Sequence, residues 1–237
     1  MSRSPLRLPL AAALLTLLAG SARAVTIIDF ETIPGGVPSE GLVIHDQFQA
    51  TLGVTFEFEG GGYPVLARAG SPMTAFGGGL TNEHDLPTAA AATLVGEYFL
   101  TDDGVVGAPP APLIIRYDTP VAAASGVLID VDGYGRGTVF EAFRIEARGV
   151  GDAVLDTIEL IGAMEGDGEA APWSFSRALE EIHSIRISYF GNKEWGIGLA
   201  FDYFSPSSPF EPPVPEPGTL ALVGLGLGLL GARRRRA

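Results

Sequence analysis

Residues 197–204 read IGLAFDYF, and apolar side chains fall on every second position. Ile197, Leu199, Phe201 and Tyr203 share one face, the period-two signature of a strand that covers a core. Asp202 stands on the other face between Ala200 and Phe204, an acid among apolar neighbours. Seven further runs of β type lie at 25–30, 53–58, 113–117, 126–131, 138–147, 153–161 and 182–190, separated by Gly, Pro, Asp and Asn clusters. No long amphipathic helix pattern is present. Many short strands joined by Gly-rich turns predict an all-β fold, a jelly-roll-like β-sandwich. The Gly-rich stretch 60–86, ending in TNEHDLPT, predicts a long loop over one end of it.

The two ends of the chain read differently. Arg3 and Arg7 precede an apolar stretch at 8–19, and Ala22-Arg23-Ala24 forms a small-x-small cleavage site. This predicts an N-terminal signal helix over residues 1–24, cleaved after Ala24, and hence export. The proline-rich segment 209–217 predicts an extended spacer. Residues 218–237 then carry a fourteen-residue, mostly apolar run at 219–232, followed by Arg233, Arg234, Arg235 and Arg236. A helix spanning a bilayer needs about 20 apolar residues, so this C-terminal hydrophobic anchor helix is marginal as a permanent span. The arginine cluster resists translocation and marks its cytoplasmic side. Gly226, Gly228 and Gly231 make a formal G-x-G-x-x-G, but it opens no βαβ unit, so a dinucleotide site is set aside.

Pro215-Glu216-Pro217, the short apolar run and the arginine cluster, paired with a signal peptide, resemble the PEP-CTERM proteins of exopolysaccharide-producing Gram-negative bacteria. The resemblance covers residues 214–237. It implies recognition and cutting near the PEP motif by an exosortase, a membrane-embedded sorting peptidase. The protein would be exported, held transiently at the inner membrane through its C-terminal segment, and then passed to the cell surface or beyond. That is an address and not an activity.

Between the two signals, residues 25–208 are long enough for one domain with a core. The chain has no cysteine, so neither disulfides nor Cys-ligated zinc are available. Seven of its fifteen basic residues lie in the signals. Eight basic side chains against twenty-eight acidic ones leave 8 − 28 = −20 for residues 25–217. Such a chain repels the phosphate backbone, and nucleic acid is not an expected partner. Divalent cations are compatible with it.

Asp29 and Glu31 follow Ile27 on one face of the first run, and Asp202 interrupts the last. If the first and last strands are neighbours, three acids converge, and carboxylates in apolar positions need compensation. Calcium, which takes six to eight oxygen ligands in irregular geometry, would supply it. The alternative is that these acids cap strand ends by accepting backbone N–H groups. The stretches IIDFETIPGG, GLVIHDQFQATLGVTFEF and GIGLAFDYFSP look like the jelly-roll domains common in PEP-CTERM proteins, which resemble calcium-containing carbohydrate-binding modules. That resemblance implies a structural calcium held by Glu31 and Asp202. A competing signal is DVDGYGRGTVFE, where Asp130, Asp132, Gly135, Thr138 and Glu141 occupy positions 1, 3, 6, 9 and 12 of an EF-hand loop. Its flanks are strand-like where the loop needs helices, which predicts a β-hairpin instead.

No G-x-S-x-G or H-E-x-x-H occurs, and His45, His84 and His183 are scattered. Trp195 and Tyr134 lie in Gly-rich turns, where exposed rings would stack on a sugar; otherwise they fold back onto the core. The reading is an exported, surface-sorted, non-catalytic protein associated with extracellular polysaccharide or biofilm matrix, binding carbohydrate. Two alternatives stay open. One is a secreted glycan hydrolase, because a glycosidase pair is set by a separation of about 5–10 Å in space and not by spacing in the chain. The other is a purely structural matrix protein.

Overall fold

The computed structural model describes residues 25–69, 87–102, 109–134, 137–162, 168–194 and 196–212. The segments expected to form the two terminal helices, the cleavage residues Ala22 and Ala24, Trp195, the PEP motif and the four arginines lie outside the described residues. The described strands are β1 Val54–Phe58, β2 Val65–Arg68, β3 Tyr98–Thr101, β4 Leu113–Val121, β5 Ala123–Ile129, β6 Gly133–Tyr134, β7 Val139–Phe140, β8 Ala142–Arg148, β9 Val154–Ile161, β10 Ala170–Ser176, β11 Ile182–Tyr189 and β12 Ala200–Ser205. They form two five-stranded antiparallel sheets, β1-β4-β11-β8-β9 and β10-β5-β12-β3-β2, with β6 and β7 as a separate hairpin. This is the expected all-β sandwich. Described helix is confined to single turns such as Gln49–Leu52.

Alternation builds the first sheet. Val54, Phe56 and Phe58 point inward while Thr55 and Glu57 between them stay partly exposed, and Ile185 and Ile187 of β11 meet the same core. In the second sheet β5 is buried along its whole length. Its inner face (Ala124, Leu128) joins the main core, and its outer face (Val127, Ile129) lies under a second apolar cluster with Val95, Phe99 and Ala200. Aromatic rings knit the interior together. Phe56 meets Phe30, Phe48 and Phe204 at centroid distances of 6.0–6.2 Å, and Trp173 stacks on Phe201 at 6.3 Å. Gly126 makes that stack possible, since a Cβ there would come within 2.7 Å of the Phe201 ring and 2.9 Å of Trp173.

The chain departs from three expectations. The opening stretch does not alternate to its end: Asp202 pairs with Val127, but the next partner, Ser125, is opposite Ser205, and Tyr203 has φ 50°. One extra residue on β12 makes a β-bulge, which turns the side chains beyond it to the opposite face. Phe201 and Phe204 therefore both face the main core, whereas Tyr203 packs outward with Ala200. The first run, 25–30, forms no extended strand. It contributes a single antiparallel bridge between Ile28 and Phe204, with N–O distances of 2.7 and 2.9 Å. The stretch 60–86 is not all loop, because β2 pairs with β3 along Val65–Arg68. At the other end Phe210 stacks edge-on against Tyr203 at 5.9 Å, and its N–H donates to Ser174 Oγ at 3.0 Å. The start of the proline-rich segment thus lies against the second sheet.

Candidate functional site

The bridge between Ile28 and Phe204 carries Asp29 and Glu31 to the end of β12 where Asp202 sits. Asp202 is fully buried, on the outer face of the second sheet opposite Val127. Its Oδ1 accepts the Tyr203 N–H at 2.6 Å, and the Gly96 N–H also bonds its carboxyl. Its Oδ2 is buried with no partner. Burial, reinforced by the charges of Asp29 and Glu31, pushes the Asp202 carboxyl well above the ordinary carboxylate range. Glu31 Oε1 accepts the Tyr98 N–H at 2.8 Å. A Cβ on Gly96 would lie 2.1 Å from that oxygen, so only glycine lets the carboxylate lie over this turn. Asp29 is exposed, and its Oδ1 accepts the Glu31 N–H at 3.2 Å. The three predicted acids are thus neighbours. Each accepts a backbone N–H in the manner of a strand-end acid, and Asp202 Oδ2 is left over. Among the described residues, no three His, Asp or Glu side chains are already gathered as a metal-binding set.

The EF-like segment is a hairpin between strands. Asp130, at φ 63°, uses Oδ1 to accept the Gly168 N–H at 2.7 Å. Asp132 and Glu141 do converge, but on an ammonium: Lys193 Nζ lies 2.7 Å from Asp132 Oδ1 and 3.1 Å from Glu141 Oε1. A lysine thus occupies the space between the acids of positions 3 and 12. Glu141 is 3% exposed, and burial raises its pKa to about 8 against the pull of Lys193. Burial works against the Lys193 ammonium, but the Glu141 and Asp132 carboxylates outweigh it and raise its pKa. Sequence reasoning missed Lys193. The paired acids were readable from their spacing, whereas their cation arrives from 52 to 61 residues away. Of the two candidate sugar platforms, Tyr134 belongs to β6 through its backbone pairing with Val139, and Trp195 lies outside the described residues.

A groove that no sequence motif announced runs over the outer face of the first sheet, with a volume of about 650 Å³. Register aligns two rows on this face, Glu57–Ile114–Arg186–Glu146 and Thr55–Arg116–Ser184–Arg148, polar except for Ile114. Turns carrying Tyr63 and Asp152 wall it. Its charges are paired in a lattice: Arg116 Nε to Glu57 at 2.6 Å, Arg186 to Glu59 at 2.8 Å and to Glu146 at 3.4 Å, Arg148 to Glu146 at 2.7 Å and also to Asp152. The Arg186 guanidinium holds Glu59 below the usual carboxylate range. Tyr63 is 45% exposed at the rim, its ring 4.1 Å from that of His45. Fixed donors and acceptors beside an exposed ring suit a neutral, hydroxyl-rich ligand.

Residues 213–236 match the family model for the PEP-CTERM protein-sorting motif, which implies export, exosortase recognition and surface sorting. No curated protein matches the chain. Among solved structures, it is similar to TmCBM61 in complex with beta-1,4-galactotriose, at 11% identity and a TM-score of 0.31, over 48% of this chain and 74% of that one. It is also similar to the CBM22-1 xylan-binding domain of Paenibacillus barcinonensis Xyn10C, at 13% identity and a TM-score of 0.27, over 46% and 70% of the two chains. A third is the arabinose-bound MgGH51 α-L-arabinofuranosidase, at 12% identity and a TM-score of 0.31, over 76% of this chain and 31% of that one.

Proposed function

We propose that this chain is an exported, surface-sorted β-sandwich that binds extracellular polysaccharide of the cell-surface or biofilm matrix without cleaving it. The PEP-CTERM match at 213–236 carries the sorting half of the reading. The sugar-binding half is supported by the groove of the first sheet, with its paired guanidinium and carboxylate groups and the exposed Tyr63 ring. Hydroxyl groups bridge such donor and acceptor rows readily, and a pyranose face packs on an aromatic ring. A glycan hydrolase is favoured less, because a general acid needs a raised pKa and Glu59 in the groove is held low by Arg186.

A glycan array and a reducing-sugar release assay on the same purified chain test this directly. Array binding without sugar release is the expected result, and release of reducing ends would replace the reading with the hydrolase. Tyr63→Ala should weaken binding by about 0.5–1.5 kcal/mol, up to about tenfold in Kd. A loss confined to Tyr134→Ala would move the ligand to the β6–β7 hairpin, and one confined to Trp195→Ala would move it to that residue.

Sorting makes a separate prediction. Deleting residues 218–237 removes the apolar run and the arginine stop, so the protein should be released in soluble form. Protein taken from the surface of its native host should lack Arg233 to Arg236. An intact arginine-terminated tail in the mass spectrum of that material would refute processing.

A structural calcium is part of the same proposal. The residues fit one: Asp202 offers a buried oxygen with no partner, Glu31 and Asp29 add anionic oxygens beside it, and backbone carbonyls and water complete such shells elsewhere. Asp202 and Glu31 would serve as ligands, with Asp29 at the exposed side. The charge they hold would tie the first described residues to the last strand.

A further inference from the structure

The hairpin cluster has features that an ordinary surface ion pair lacks. Lys193, Asp132 and Glu141 have side-chain exposures of 12%, 24% and 3%, so amine and acids meet largely out of water. Two carboxyl groups face one ammonium, and burial raises the pKa of Glu141, the deeper of the two, to about 8. The backbones that carry them are fixed on every side. Asn192 accepts the Phe140 N–H at 2.8 Å and donates to Thr138 O at 2.9 Å, while the Lys193 N–H reaches Phe140 O at 3.2 Å. Glu141 N–H donates to Asp132 O at 2.8 Å, and Tyr189 Oη donates to Lys193 O at 2.9 Å. A Cβ on Gly162 would lie 2.1 Å from Asp132 O, and one on Gly191 would lie 2.5 Å from Phe140 O. Only glycine fits at either position, so the backbones approach closely on both sides of the cluster.

We infer that Lys193 and Asp132 join in an intramolecular isopeptide bond, with Glu141 as the acid that carries the protons. The Lys193 ammonium passes one proton to the Asp132 carboxylate along their 2.7 Å contact, which leaves a free amine beside a neutral carboxylic acid. Burial aids this transfer, which must run against the two carboxylates that favour the ammonium. The amine nitrogen then forms a bond to Asp132 Cγ. Glu141 donates its proton to the departing hydroxyl and recovers one from the new N–H. One water leaves, Glu141 ends as it began, and no oxidant or reductant is needed. Proximity supplies the drive, because reactants held at contact distance gain effective molarities of about 10⁵–10⁸ M. The burial-raised acid of Glu141, at about 8, supports the role by keeping a proton available at neutral pH.

The product would link residues 61 positions apart in a chain that has no cysteine to make a disulfide. It would pin the segment after β11 to the β6–β7 hairpin and close a long loop in the unfolded chain. The inference is independent of any ligand.

The full-length chain, purified and digested with a protease, gives the test by peptide mass spectrometry. The expected result is one branched peptide that joins the segments bearing Asp132 and Lys193, lighter than their sum by one water. Lys193→Ala and Asp132→Ala should each yield only linear peptides, and Glu141→Gln should slow cross-link formation about a hundredfold or more. Recovery of both wild-type peptides in linear form with unmodified masses overturns the inference without reference to any variant. So does a branch found at Glu141, and undiminished cross-linking in Glu141→Gln removes that residue from the chemistry.

Discussion

Phe204→Ala is expected to cost about 3–5 kcal/mol of stability, a fall in melting temperature of roughly 6–20 °C for a domain of this size. Tyr203→Ala should cost much less. The order follows from the bulge in β12. Phe204 is fully buried and meets the rings of Phe56, Trp173 and Phe201 at 6.0, 6.4 and 5.6 Å. Its truncation opens a cavity between two sheets whose backbones are hydrogen-bonded and cannot close on it. Tyr203 is half-buried on the outer face, where Phe210 can shift to cover the loss. Strict alternation through 197–204 predicts the reverse, with Tyr203 in the core and Phe204 outside. Denaturant or thermal unfolding of the two variants decides the matter, and a larger loss in Tyr203→Ala would mean that the strand carries no bulge.

That stretch also shows where local pattern stops being informative. The runs 53–58, 113–117, 153–161 and 182–190 were readable as strands because β1, β4, β9 and β11 combine period-two alternation or apolar runs with turn residues at their ends. β10 was not, since Pro172 interrupts it, and a proline within a run argues against a central strand. It survives because β10 is a sheet edge, with β5 as its one partner. β2 is short, lies at the opposite edge and follows three glycines, so nothing local separates it from a loop. The bulge at Tyr203 is set by pairing with β5, which the residues 197–204 do not contain.

The sites divide in the same way. Asp202 stood out as an acid in an apolar strand, and Asp29 and Glu31 as acids near the first run; the bridge from Ile28 to Phe204 makes them neighbours. The groove has no linear signature, because four strands contribute its side chains and register alone aligns them. Lys193 was invisible for a related reason. Asp132 and Glu141 announce a place for a cation, but their sequence does not say that the cation is a lysine from the far side of β11.

Calcium added to the chelated chain should raise its melting temperature by about 5–10 °C. Binding to the folded state alone contributes RT ln(1 + [L]/Kd), about 2.7 kcal/mol at a hundredfold excess over Kd, and a domain of this length gains roughly 2–4 °C per kcal/mol. Asp202→Asn should abolish the response and still fold, because burial already favours the neutral acid in the metal-free chain and Asn is its neutral counterpart in shape. The sign of the pH dependence follows from that raised pKa. Without metal, the folded chain holds a proton that the unfolded chain releases, so stability is greatest below the ordinary carboxylate range and declines as pH rises towards the folded-state value. Calcium needs the ionised carboxylate and displaces that proton. The thermal response should therefore grow as pH rises through this window, where a structural acid would give only the decline. Glu31→Gln should reduce the response, whereas Asp130→Asn should keep it, since Asp130 is engaged with Gly168 in the hairpin. Identical melting curves with and without chelator, in protein shown to be metal-free, would leave Asp202, Glu31 and Asp29 as strand-end acids that accept backbone N–H groups. A response lost only in Asp130→Asn would place the ion at the hairpin.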